Sequence, residues 1–96
     1  MIQSFGDSRT EDVYDGVSNA RTRQLPQEVL GIARRKLDLM NAAHVLEDLR
    51  APPGNRLELL RGELSGRHSI RINAQWRIVF RWTVGGPADV KIVDYH

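Results

Sequence analysis

The chain contains no cysteine. Disulfides and thiolate metal sites therefore cannot hold the fold together, and thiol catalysis is excluded. Long hydrophobic runs are missing as well. No stretch approaches the ~20 apolar residues that a membrane-spanning helix needs. Met1 to Ser8 lacks a basic segment followed by an apolar one, so it does not read as a signal peptide, and the cytoplasm is the expected location. Internal repeats and low-complexity tracts are absent. So are close-spaced ligand pairs of the H-E-x-x-H kind and glycine-rich nucleotide loops; Gly62, Gly66 and Gly85-Gly86 fit hairpin turns instead. His68, Asp94 and His96 are residue types that bind metals, but their spacing does not support a site. No metal, no cofactor and no membrane contact are expected.

Lysine is scarce too. Only Lys36 and Lys91 occur, against twelve arginines. The net charge of +2 is unevenly spread. Residues 1–15 hold Asp7, Glu11, Asp12 and Asp15 against Arg9. Residues 56–81 hold Arg56, Arg61, Arg67, Arg71, Arg77 and Arg81 against Glu58 and Glu63. The arginine fork matches phosphate oxygens. The competing reading is a solvated surface whose arginines reflect codon bias. Composition alone leaves both open.

With 96 residues, 41% of them apolar, the chain is expected to form one domain, residues 1–96, around one core. Ile2 to Phe5 reads as an edge strand. Gly6-Asp7-Ser8 reads as a turn, with Asp7 or Ser8 as a helix cap. Thr10 to Val17 predicts a short helix with Val13, Tyr14 and Val17 on one face. Ser18 to Gln24 predicts a loop in which Arg21 and Arg23 are solvated or reach an anion. Pro26 opens the clearest helix, which runs to about Ala42 with Leu30, Ala33, Leu37 and Met40 as its core stripe and Val29 and Leu39 flanking it. A second short apolar pattern, His44 to Leu49, ends at Ala51-Pro52-Pro53-Gly54-Asn55.

From Arg56 the period changes to two. Leu57 to Leu60 suggests a first strand. His68 to Asn73 alternates, with His68, Ile70 and Ile72 on one face and Ser69, Arg71 and Asn73 on the other. Ala74-Gln75 makes a tight connection. Trp76 to Trp82 sets Trp76, Ile78, Phe80 and Trp82 against Arg77, Val79 and Arg81. Val90 to Tyr95 closes the set. An antiparallel meander with helices on one face follows, which is an α+β domain.

If the isoleucines and Phe80 meet the helices, Arg71, Asn73, Arg77 and Arg81 emerge on the opposite face. Like charges on paired strands repel, so such a face needs nearby acids or an anionic ligand. Phosphodiester is one answer; pairing with Glu58, Glu63 or Asp89 and stacking over tryptophan is the other. The tail adds chemistry. His96 titrates near neutrality, Tyr95 can stack on a base or orient a 2′-hydroxyl, and Asp94 can orient a neighbour or act as a base. With arginines to stabilise a phosphorane, these groups suffice for RNA cleavage by 2′-OH attack, which needs no metal. His68 is a second imidazole, although its alternation puts it on the core face.

Leu64-Ser65-Gly66, Ser69 to Asn73, Gln75 to Trp82 and the ending Val93-Asp94-Tyr95-His96 together resemble the HigB-type toxins. These are the plasmid-maintenance killer-protein branch of the RelE-like superfamily. Ile2 to Phe5 and the helix from Pro26 fit that branch. The resemblance implies helices packed on a curved antiparallel sheet. It implies a ribosome-dependent endoribonuclease that cuts mRNA and stops translation, with a HigA-like helix-turn-helix antitoxin as partner. Operator DNA would be bound only through that complex. Asp94, Tyr95 and His96 match the family's C-terminal functional residues, and Arg77 joins them as a candidate catalytic group. Arg71, Asn73, Arg81, Arg67 and His68 are the candidate RNA and phosphate contacts. The position of His68 is often aromatic or apolar in such sequences, so a catalytic role for it is not inherited. Many relatives continue past His96; a chain ending there would set a carboxylate beside the imidazole and raise its pKa. The alternative is an RNA- or DNA-binding module that uses the arginine face without catalysis. A third reading is a protein-interaction domain that meets an acidic partner.

Overall fold

The computed structural model describes residues 1–95. Two helices, α1 (Ser8–Asp15) and α2 (Gln27–Ala42), precede four strands: β1 (Glu58–Leu59), β2 (His68–Arg71), β3 (Trp76–Thr83) and β4 (Gly86–Asp94). The strands pair in sequence order, each antiparallel to the next, as the change to period two predicts. None of the described helices is long and apolar enough to cross a membrane.

Each helix boundary has a local cause. The Asp7 carboxylate accepts from the Thr10 amide at 2.8 Å and caps α1. Gly16 ends it in the left-handed region, at φ 76°, where a side chain would be strained and would also meet the Arg34 guanidinium. The helix therefore stops before Val17, which is exposed rather than on the expected apolar face. Pro26 stands just before the first turn of α2. The buried stripe of α2 is Val29, Ala33, Leu37 and Met40; Leu30 lies at its margin. The stripe is shifted by one residue at its start because α2 packs against both α1 and β4.

The segment between the helices is more structured than its polarity suggests. Asn19 and Thr22 bond reciprocally through amides and side chains, and Thr22 is buried. Arg21 pairs with Asp12 at 2.7 Å. Asn19 and then Arg21 hold the Asp12 carboxyl below its usual value by hydrogen bonding. After α2, the His44 and Val45 amides donate to Asp48, and a 3₁₀ turn (Leu46–Arg50) buries Leu49. Asn55 is fully buried, donates to the carbonyls of Leu49 and Ala51, and accepts from Lys36 of α2.

The core lies between α2, α1 and one face of the sheet, with Phe80, Leu37, Met40, Leu49, Ile70, Ile78 and Ile92 fully buried. Thr10 of α1 accepts the Ile92 amide at 2.9 Å and ties that helix to β4. Residues 2–6, expected as an edge strand, do not form a strand of the sheet. They run parallel to β4 through a single bridge, Phe5 to Val90, with the Gln3 and Gly6 amides donating to Pro87 and Val90. β4 starts four residues earlier than its apolar run suggests, because Gly86, Pro87 and Ala88 are buried beside this N-terminal segment.

Candidate active site

Residues directly opposite each other in an antiparallel pair point to the same side. The register sets Glu58 opposite Ser69, Arg71 opposite Arg77, Arg77 opposite Val93, and Val79 opposite Ser69 and Lys91. These residues share the face turned away from the helices. Ile70, Ile78 and Ile92 form one row across the covered face.

Arg71 and Arg77 are thus neighbours of like charge. The conflict is resolved around Arg77. Its guanidinium donates to Ser69 Oγ at 2.9 Å and to Glu58 Oε1 at 3.2 Å, and reaches the Arg56 carbonyl at 3.5 Å. It also lies 5.2 Å from the centre of the Tyr95 ring, a cation–π contact. Only 12% of the Arg77 side chain is exposed. Among the described residues, Arg71 has no ion pair, and it is half-buried on the same surface. Arg77 is fixed by its neighbours, whereas Arg71 is not ion-paired among the described residues.

The tail is placed by the β2–β3 turn. Asn73 lies in that turn, beyond the end of β2, so the predicted strand is shorter than its alternation suggests. Its side-chain oxygen accepts from the amides of Gln75 and Trp76, at 2.9 and 2.8 Å. Gln75 in turn accepts the Tyr95 amide at 2.7 Å and donates from its side chain to Asp94 at 3.1 Å. Asn73 therefore acts on the tail through Gln75. Asp94 pairs opposite Trp76 at the end of β4. His96 lies outside the described residues.

Arg67 and Arg81 are on the open side but further along the strands. Both approach Asp89 Oδ2, at 3.8 and 3.2 Å. Asp89 has φ 51° at an irregularity in the β3–β4 pairing. Its amide donates to Ser4 Oγ at 2.8 Å. Nearby, Arg67, Val79, Lys91 and Val93 line a concavity of about 570 Å³.

His68 is not brought to the arginines. It sits opposite Phe80 and stacks on that ring with centroids 6.1 Å apart. Its Nδ1 is buried without a partner among the described residues. Burial, and then the charge of Arg50, push its pKa down. Trp76 is also absent from the arginine face; Arg9 of α1 covers its ring at 5.8 Å.

Glu58 and Ser69 join the site through register alone. From the sequence, Glu58 reads only as a counter-charge. The short pairing of β1 with β2 is what sets its carboxylate against Arg77. Among the described residues, no group of three or more His, Cys, Asp or Glu is arranged to hold a metal.

A solved structure of a YoeB–YefM complex from Staphylococcus aureus superposes on the chain with a TM-score of 0.58, covering 100% of this chain and 98% of that one at 17% identity. The fold is RelE-like. Residues 3–96 match the family described as "RelE-like toxin of type II toxin-antitoxin system HigB". The chain is 41% identical over 85 residues to Toxin HigB-1 of Vibrio cholerae, covering 88% of this chain and 87% of that protein. An uncharacterized protein of Haemophilus influenzae is 37% identical over 59 residues, 62% of this chain and 58% of the relative. The chain belongs to the HigB-like family of type II toxins within the RelE superfamily.

Proposed function

We propose that the chain is an endoribonuclease that cuts mRNA on the ribosome and so stops translation. The observation that carries this reading is the Arg77 guanidinium, fixed between Ser69, Glu58 and Tyr95 and directly opposite Arg71. In RNA the 2′-hydroxyl attacks the adjacent phosphorus. Its proton goes to a base, negative charge builds on the phosphorane oxygens, and the 5′-oxygen leaves with a proton from an acid. The P–O5′ bond breaks, giving a 2′,3′-cyclic phosphate and a free 5′-hydroxyl. Arg77 and Arg71 are suited to the developing charge, because preorganised donors stabilise it without reorganising. Glu58 is the half-exposed carboxylate beside them and takes the proton. Tyr95, with its ring against Arg77, orients the sugar or base. The general acid comes from the tail, with His96 as the candidate by sequence and Asp94 as its orienting neighbour. Asn73 positions that tail through Gln75.

The partners follow from the same reading. A HigA-like antitoxin with a helix-turn-helix domain neutralises the toxin, and only their complex binds operator DNA. The ribosome presents the mRNA, and the site of action is the cytoplasm.

The test is induced expression in bacteria, combined with mapping of 5′ ends in a translating extract. The wild-type chain is expected to arrest growth and to cut mRNA only while it is being translated. Arg77→Ala should lower cleavage by ~10²–10³-fold, the loss typical of one donor to a transition-state oxyanion. Salt-sensitive RNA binding with no cleavage by the wild-type chain would replace this reading with that of a binding module.

A further inference from the structure

The open face carries a second cluster of cations that the cleavage step does not use. It begins where the Arg71–Arg77 row ends. Val93, the register partner of Arg77, also lines the neighbouring groove, together with Val79, Lys91 and Arg67. Arg81 closes the far end through its bond to Asp89. From Arg71 back to Arg67, and from Arg77 on to Arg81, the chain advances four residues, on the order of 13 Å of extended strand. A mononucleotide cannot span that distance; an extended oligonucleotide can.

Charge in this groove is unbalanced. Arg67 and Arg81 share a single carboxylate, Asp89, and Lys91 lines the same groove without an ion pair to it among the described residues. That carboxylate is held in place. The Asp89 amide donates to Ser4 Oγ, and the Ser4 hydroxyl lies 3.4 Å from Asp89 Oδ1. The two guanidiniums converge on the other oxygen, Oδ2, one of them only loosely at 3.8 Å. Two arginines around one oxyanion are arranged as they would be around a phosphate oxygen. The groove is wide enough for more than this pair, at about 570 Å³, and the half-buried Val93 lines it beside the cations.

We propose that this groove is a second phosphate seat for single-stranded RNA, and that Asp89 is its internal competitor. In the free protein the carboxylate keeps Arg67 and Arg81 together. When a strand lies across the sheet, a backbone phosphate remote from the cleaved one takes both arginines and Lys91. The site thereby reads the length of a strand rather than a lone phosphate. This inference rests on the RNA reading of the Arg71–Arg77 row.

The experiment measures binding of the full chain to labelled 2′-O-methyl RNA, which lacks the attacking hydroxyl and cannot be cut by this route. A hexanucleotide and a dinucleotide serve as probes across a range of salt. Arg67→Ala and Lys91→Ala should each weaken the hexanucleotide several-fold and lower its salt slope by about 0.7, the value for one lost contact to a single strand. Neither should affect the dinucleotide. Asp89→Asn should tighten the hexanucleotide several-fold, since the arginines lose their competitor; weakening would overturn that role for Asp89. Arg77→Ala should weaken both probes. If Arg77→Ala weakens binding but the Arg67 and Lys91 variants match the wild type, the second seat falls and the RNA reading stands. If the wild-type chain binds neither probe, the second seat falls, while the ribosome-dependent reading stands or falls on cleavage in the translating extract.

Discussion

The two faces of the same sheet are built on different physics. On the covered face, Ile70, Ile78 and Ile92 form a row that no water reaches. Each contributes through the area it buries, and its neighbours need only be apolar and of the right volume. On the open face nothing is independent. Arg77 is tolerable beside Arg71 because Glu58, Ser69 and Tyr95 surround it, and Arg81 and Arg67 are held by Asp89. The covered face should forgive changes that conserve volume and punish deletions. The open face should forgive changes in stability terms and punish small alterations of geometry.

The largest departure is expected from Phe80→Ala, which empties the centre of the covered face and should cost ~3–5 kcal/mol in urea unfolding. A loss below ~1 kcal/mol would mean that the core does not sit where the burial places it. Next comes Arg77→Lys. It keeps the charge but loses the planar fork that bonds Ser69 and Glu58 together. Cleavage should fall by ~10²-fold or more while unfolding free energy moves by less than ~1 kcal/mol, and equal losses in both would erase the contrast between the faces. Asp7→Ala removes the cap of α1 and should cost ~1 kcal/mol, read by thermal melting, without altering RNA binding.

The smallest expected effect concerns His68, the one titratable group on the covered face of β2. Burial and the nearby Arg50 make the folded chain bind this proton less readily than the unfolded chain. The unfolded state then holds more protons as pH falls through the usual imidazole range, so stability declines on mild acidification. His68→Phe should flatten that decline. If the two unfolding curves keep the same pH slope, the imidazole is not shielded as its stacking on Phe80 implies.

The covered face was legible because burial leaves a pattern in sequence. Alternation from His68 to Ile72 and from Trp76 to Trp82 marked the central strands, and the three-four spacing after Pro26 marked α2. Patterns do not encode pairing register. β1 has only Glu58 and Leu59, so nothing local says that Glu58 faces Ser69, and its meeting with Arg77 was invisible. Asn73 continued an alternating run, yet its amide side chain favours a turn and ended the strand there. The start of β4 was missed for a related reason. Gly85-Gly86 reads as a turn, but the N-terminal segment packs beside Gly86 and Pro87 and makes that end of the strand an interior one.

In the proposed mechanism, proton transfer and charge stabilisation take place on the open face around Glu58 and Arg77. Single-turnover cleavage of mRNA on programmed ribosomes by Glu58→Gln tests it most directly, with a translating-complex binding assay in parallel. The substitution keeps the shape and a hydrogen-bonding oxygen for Arg77 but removes the base. Cleavage should fall by ~10²–10⁴-fold with ribosome binding unchanged. Cleavage at the wild-type rate would contradict the account and move the base elsewhere.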